Sequence, residues 1–167
     1  MGEVNGAAWS QGRTLLERAI DRHLDFAFET TLGGQTMTEL LERAASGGLA
    51  VHVWFAGLEN VELHTERVCQ RVARGGHDIP REKIVESYDG ARKNLIRLLP
   101  PLASVRVYDN SVEADPAQGL MPIPQPLLHC VERRIVAPTK LRSLLADTPE
   151  WAKPILAAAL ALHLRRR

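Results

Sequence analysis

Residues 49–57 read LAVHVWFAG, a nearly continuous run of β-branched, aromatic and small side chains. Such a run is typical of a strand that is buried on both faces, as in a parallel sheet. Segments with helical periodicity precede and follow it along the chain. This alternation predicts an α/β fold with a mostly parallel sheet flanked by helices, and it places residues 49–57 in a central strand.

Apolar residues at helical spacing predict four helices, and Thr148-Pro149-Glu150 predicts the cap of a fifth. Their expected ranges are 9–24, about 36–45, about 60–74, about 80–99 and a last helix after Thr148, in which Pro154 either produces a kink or marks the start. Three further strands are expected from their composition. Their ranges are 26–31, 104–111 and 126–136.

These elements are expected to form a single domain over residues 1–167, which is one domain's length. We expect a frayed N-terminus at 1–8, followed by a core at 9–111 that includes a helical lid at about 60–99. A Pro-rich connector at 112–125 then leads to a C-terminal strand and helices at 126–167.

The charge balance gives no general reason to expect a nucleic-acid or membrane partner, because 21 Lys and Arg residues face 20 Asp and Glu residues. The longest apolar run, at 155–164, is about half of the roughly 20 residues that cross a bilayer. Two cysteines, Cys69 and Cys130, lie in unrelated segments, and the N-terminus does not resemble a signal peptide. These features predict a reduced, cytoplasmic protein.

Polar residues follow three of the predicted strands, at the edge where α/β sheets usually bind ligands. They are Glu29-Thr30-Thr31, then Gly57 with Glu59, and finally Asp109-Asn110-Ser111. Asn110 and Ser111 are equally well explained as turn and N-cap residues. Glu29 directly follows an apolar pair of phenylalanines, where burial is expected to give way to a cleft, so it is the stronger candidate.

Three arginines, Arg67, Arg71 and Arg74, share one face of the third predicted helix because they are four and three residues apart. The helix ends at GGHDIP, residues 75–80. Arginine side chains suit phosphate, so this segment, with His77, is a candidate phosphate lid hinged by its glycines. The alternative is a solvated helix face whose arginines pair with nearby glutamates.

Other kinds of catalytic site have no motif in the sequence. The histidines and cysteines lack metal-binding spacings, so no metal is expected, and no GxSxG turn occurs. A P-loop of the form GxxxxGK followed by Ser or Thr is also absent, since none of the four lysines follows a glycine.

Four stretches together resemble the zeta-toxin family of P-loop kinases, and the resemblance extends from Trp9 onward. They read FAFETTLGG at 26–34, RVCQRVARGGHDIPREKI at 67–84, NLIRLLPPLASVRVYDNS at 94–111 and DTPEWAKPILAAAL at 147–160. The resemblance implies an ATP-dependent phosphotransferase that uses Mg²⁺ and acts on UDP-N-acetylglucosamine or a related small acceptor. It also implies an antitoxin protein as a partner.

The resemblance assigns Glu29, Thr30 and Thr31 to the acceptor sugar, and Arg71 and Arg74 to the ATP phosphates. The family's Walker A loop and its catalytic-base aspartate should lie before residue 1, so the resemblance implies an N-terminally truncated kinase fold. Ser87 also stands where relatives often have an arginine. Hence we expect no tight binding of ATP or Mg²⁺ and no catalysis by this chain.

Two other interpretations remain open at this point. The chain could be a non-catalytic relict that binds a nucleotide sugar or a protein partner, or it could be a purely structural domain. A truncated sheet is also expected to expose an apolar edge, which predicts self-association.

Overall fold

The computed structural model describes residues 2–112, 123–141 and 143–165, and in this part of the chain five helices accompany four strands. The helices are α1 (Gly2–Asp21), α2 (Gln35–Ser46), α3 (Val61–Ala73), α4 (Arg81–Leu98) and α5 (Lys153–Leu164). The strands are β1 (His52–Gly57), β2 (Ser104–Asp109), β3 (Gln125–Val131) and β4 (Arg134–Ala137). The protein is therefore α/β, as the sequence predicts.

The sheet is mixed, so the prediction of a mostly parallel sheet is wrong. Its strand order is β1-β2-β3-β4, with β1 parallel to β2 and the other two pairs antiparallel. The difference arises at residues 126–136, which form a hairpin and not one strand. Glu132 and Arg133 make its two-residue turn with φ values of 45° and 65°. Two-residue hairpin turns favour such positive φ values because they match the strand twist.

Strand β1 lies at the edge of the sheet and not at its centre, which corrects the expectation from its composition. Val53 and Phe55 point toward the core and are half-buried, whereas Trp54 points the other way and is 67% exposed. An apolar run indicates a strand, but it does not identify that strand's neighbours. At β1, the core therefore covers only one of the two faces of the sheet.

Residues 26–31 do not form a strand, because nothing in the described chain pairs with them; residues 24–33 have no regular secondary structure. The N-terminal helix also differs from expectation. It begins at Gly2, so residues 2–8 are helical and not frayed, and it ends at Asp21 and not at Leu24. The chain turns at His23, whose φ is 53°, and the Leu24 amide bonds the Ala19 carbonyl at 2.9 Å.

The other four helices confirm the periodicity of the sequence. The side chain of Asn60 caps α3 by accepting a 2.8 Å hydrogen bond from the Leu63 amide. Pro80 stands immediately before α4, and Pro154 lies in the first turn of α5, so it marks that helix's start. Helices α4 and α5 supply four of the fully buried side chains, which are Leu95, Leu98, Ile155 and Leu156.

The Pro-rich connector falls mostly outside the described residues, since 113–122 are not among them. Of the helices in the described ranges, none combines the length and the apolar character that crossing a membrane requires.

Candidate functional site

A cleft of about 350 Å³ lies where the 28–31 segment meets α1 and the start of α2. Its lining combines aromatic, carboxylate and hydroxyl side chains. The polar members are Glu29, Thr30, Thr31 and Thr36, and the aromatic ones are Trp9 and Phe28. A carboxylate accepts hydrogen bonds and a hydroxyl both donates and accepts them, while an aromatic ring offers an apolar face. This combination suits a small polar ligand with a ring.

Asn94 of α4 holds the segment that forms one wall of this cleft. Its side-chain amide donates to the Leu32 carbonyl at 2.8 Å and to the Gly34 carbonyl at 3.2 Å, and its oxygen accepts from Gln35 at 3.3 Å. Asn94 is only 3% exposed. A buried side chain with three bonds to one loop fixes that loop, because every lost bond would leave a polar group unpaired. The cleft wall is therefore preorganised.

Glycines bring the same loop into direct backbone contact with α4. A Cβ on Gly33 would lie 2.6 Å from Ser87 Oγ and 2.8 Å from Ser87 Cα, and one on Gly90 would lie 2.4 Å from the Gly33 carbonyl oxygen. Neither position accepts a larger residue without movement. Ser87, which departs from the resemblance, is thus a packing partner of the loop.

Residues 109–111 at the end of β2 form a separate polar group. Asp109 lies opposite Gly57 in the parallel pair, and its carboxylate Oδ1 accepts from the Ser111 amide, from the Ser111 hydroxyl and from Trp151 Nε1. The backbone amide of Asn110 donates a hydrogen bond to the Gly57 carbonyl at 2.9 Å. This end of the sheet therefore fixes the turn before α5, which gives these residues a structural role.

Trp151 also explains the glycine at the end of β1. A Cβ on Gly57 would lie 2.2 Å from the Trp151 ring, and that ring packs against Phe55 with a centroid distance of 6.3 Å. Trp151 was not predicted from the sequence to belong to a site. Its only signal there was a large aromatic residue next to a proline-bounded helix start.

The arginine face of α3 divides between two places. Arg67 Nη2 donates to the Ser111 and Val112 carbonyls at 3.5 and 3.4 Å, and so connects α3 to the end of β2. Arg71 Nη2 donates to the His77 carbonyl at 3.1 Å. Arg74 is exposed. Arg67 and Arg71 each use one Nη2 to bind backbone carbonyls, and the phosphate clamp that the spacing suggested stays a prediction.

His64 of α3 lies close to two arginines. Burial lowers the pKa of His64, and the charges of Arg71 and then Arg67 lower it further. Both effects disfavour the protonated form of the ring. His64 was not among the residues predicted to form a site.

Tyr88 of α4 joins the helical lid to the end of β1. Its hydroxyl donates to the Leu58 carbonyl at 3.0 Å and lies 2.9 Å from the Glu59 carbonyl oxygen, and burial raises its pKa. The guanidinium of Arg92 lies 4.1 Å from the centre of its ring. A cation on an aromatic face is attracted by the ring quadrupole, so this contact helps to hold the tyrosine in place.

Three groups of residues were predicted to form a site: residues 29–31, residues 109–111 and the arginine face of α3. The structure brings the last two together and leaves residues 29–31 separate. Arg67 joins the arginine face to residues 109–111, but no residue that lines the cleft around Glu29 comes from β1 or β2. Glu29 is not at a strand end, and the expected meeting of three strand ends at one edge is wrong. Within the described ranges, no group of three or more His, Cys, Asp or Glu residues could hold a metal ion.

Comparisons with known proteins add little about the role of this site. No family model matches the chain, and no solved structure matches it. A Haemophilus influenzae protein named only "Uncharacterized protein" is 32% identical over 74 residues, which are 44% of this chain and 53% of that protein. The chain thus spans about half the length of the relative. The zeta-toxin resemblance stays a prediction.

Proposed function

We propose that this chain is an acceptor-binding domain related to the zeta-toxin kinases, which holds a nucleotide sugar such as UDP-N-acetylglucosamine in the cleft around Glu29. The cleft carries the proposal, because residues 29–31 line it together with two aromatic rings. A sugar ring presents hydroxyls for hydrogen bonding and apolar faces for stacking. Residues 29–31 can form hydrogen bonds with the hydroxyls, and the rings of Trp9 and Phe28 can pack against the apolar faces.

The rigid wall of the cleft supports binding further. The bonds from Asn94 and the close contacts of Gly33 hold the segment before a ligand arrives. A loop that is already ordered does not lose conformational entropy on binding, so more of the contact energy appears as affinity.

We further propose that the chain by itself does not transfer phosphate. The sequence has no GxxxxGK motif, and Nη2 atoms of Arg67 and Arg71 bind backbone carbonyls. Without the lysine of that motif, we expect no tight binding of ATP and Mg²⁺ by this chain. Phosphoryl transfer depends on lysine, backbone amides and a metal around the phosphates. An antitoxin partner stays a prediction of the resemblance.

Calorimetric titration of the purified chain with UDP-N-acetylglucosamine tests the binding proposal. We expect saturable heat, and we expect Glu29→Gln to weaken binding roughly tenfold, since a charged hydrogen-bond acceptor contributes about 1.5–3 kcal/mol. Glu82→Gln is the matched control, because Glu82 is exposed in the first turn of α4, away from the cleft. An absence of heat at millimolar ligand overturns the proposal, and equal affinities of the two variants overturn the assigned cleft.

A coupled assay for ADP in the presence of ATP, Mg²⁺ and UDP-N-acetylglucosamine tests the second proposal. We expect no turnover above the background rate. Turnover that Arg71→Ala abolishes would show that the chain is a complete catalyst.

A further inference from the structure

The free edge of β1 lacks the features that usually prevent edge strands from pairing. Among the residues that the structure describes, β1 pairs only with β2, over six residues in regular register. Its sequence, HVWFAG, contains no lysine, no proline and no acid, and its ladder has no bulge. Natural proteins protect exposed edges with such residues or bulges, or with short strands.

The opposite edge of the same sheet is protected. β4 has only four residues, begins with Arg134 and is followed directly by Pro138, and its pairing with β3 contains a register shift. Proline has no amide to donate and ends a strand's ladder. Because one edge has these features and the other has none, the β1 edge is built for a pairing partner.

The backbone groups available at this edge can be identified. The Val51 and Gly57 carbonyls accept hydrogen bonds from Ala103 and Asn110, which flank β2. Backbone groups alternate between the two sides of a strand. Those of His52, Trp54 and Ala56 therefore point away from the sheet.

We propose that the β1 edge binds the β1 edge of a second copy of this chain, in antiparallel orientation with Trp54 opposite Trp54. This register places His52 opposite Ala56 and pairs all three outward-facing residues. The identical strands carry no side chain of fixed charge, so self-pairing brings no like charges together, whereas pairing at β4 would add arginines. Trp54, which is 67% exposed in one copy, gains an aromatic cross-strand neighbour.

Sedimentation equilibrium over a range of concentrations tests the dimer. We expect a species of twice the 18.5 kDa chain mass. Trp54→Lys places two like charges opposite each other and should restore the mass of one chain, whereas Val136→Lys, on exposed β4, should leave the dimer intact. A wild-type chain that stays monomeric at every concentration overturns the proposal, and so does a dimer that survives Trp54→Lys but not Val136→Lys.

Disulfide trapping tests the register independently of affinity. In a Cys69→Ser background, which removes the exposed cysteine, Trp54→Cys should form a covalent dimer under mild oxidation. Opposed residues in a hydrogen-bonded antiparallel pair have Cα atoms about 5.5 Å apart, within the range for a disulfide. His52→Cys should not cross-link, because its two copies would be offset by about 13 Å along the strands. Cross-linking through His52→Cys alone overturns the proposed register.

Discussion

The loop at 32–34 and the turn at 75–77 both contain a glycine pair, but they are held in different ways. Gly33 packs against Ser87 and Gly90, more than fifty positions along the chain, and Asn94 bonds the carbonyls on either side of it. Gly75 and Gly76 instead donate their amides to the Val72 and Arg71 carbonyls at the end of the helix that precedes them. Tertiary contacts fix the first segment, whereas local contacts fix the second. We expect the cost of disturbing them to differ accordingly.

The largest effect should come from Gly33→Ala, which we expect to lower the free energy of unfolding by about 2–3 kcal/mol. The new methyl group would collide with Ser87, including its backbone Cα, so α4 and the loop must separate. Urea unfolding measures the change. The matched control is Gly34→Ala, whose Cβ meets nothing within 4 Å, so only the poorer capping of α2 by alanine opposes it, at a cost of about 1 kcal/mol or less. Equal costs at the two positions would remove the steric argument.

Asn94→Ala should have the next largest effect, about 2 kcal/mol of destabilisation. The substitution leaves the Leu32 and Gly34 carbonyls without their donor in a buried setting. It should also weaken binding of UDP-N-acetylglucosamine by disordering the cleft wall. If Asn94 orders residues 29–35, the rate of amide hydrogen exchange in this segment should rise in Asn94→Ala. An unchanged rate would contradict that role.

Gly75→Ala should cost about 1 kcal/mol, less than Gly33→Ala, because only backbone strain opposes it. Gly75 has a φ of 87°, a conformation that costs residues with a Cβ about 1–2 kcal/mol, but no atom would block the methyl group. Thermal unfolding of the two alanine variants compares them directly. If Gly75→Ala were the more damaging, the turn at 75–77 would have tertiary contacts like those of the other loop.

The smallest effect concerns the pH dependence contributed by α3. The pKa of His64 in the folded chain lies below its usual value of 6.5, so the unfolded chain takes up the proton first as the pH falls. Stability should therefore decrease as the pH falls through 6.5 toward the lowered folded value. In His64→Gln this part of the decrease should disappear, which urea unfolding at several pH values would detect. An identical pH profile in the variant would contradict the lowered pKa that burial and the two arginines give His64.

Much of the fold could be predicted because α2, α3 and α4 each carry a regular apolar stripe, and α5 is apolar along most of its length. In α4, Ile84, Ala91, Leu95 and Leu98 are all buried, as their spacing required. The pairing of strands could not be predicted in the same way. Hydrophobic content identifies β1 as a strand, but the edge position depends on residues far along the chain. The hairpin at 132–133 was missed because Glu and Arg are not typical of positive φ.

The sequence predicted several residues of the cleft, but it did not predict how they are arranged. Glu29, Thr30 and Thr31 do line a cleft, but its other walls come from Trp9 and Thr36 on two helices. The alternation of Phe26, Ala27 and Phe28 suggested a strand, yet no strand lies beside it, and the two phenylalanine rings stack on each other at 5.9 Å. A local pattern cannot show whether a neighbouring strand exists. The bonds of Arg67 and Arg71 to carbonyls likewise depend on backbone positions that the sequence does not reveal.

The contribution of α5 to the core has a consequence for how the chain folds during synthesis. Trp151, Ala152, Ile155, Leu156 and Ala159 are nearly or fully buried against elements that are made much earlier. A nascent chain that has not yet reached residue 159 lacks these side chains and leaves part of the sheet uncovered. Domains fold as units, so productive folding must wait until this helix has emerged. Until then, the apolar surface that this helix covers stays exposed, and such surface promotes aggregation.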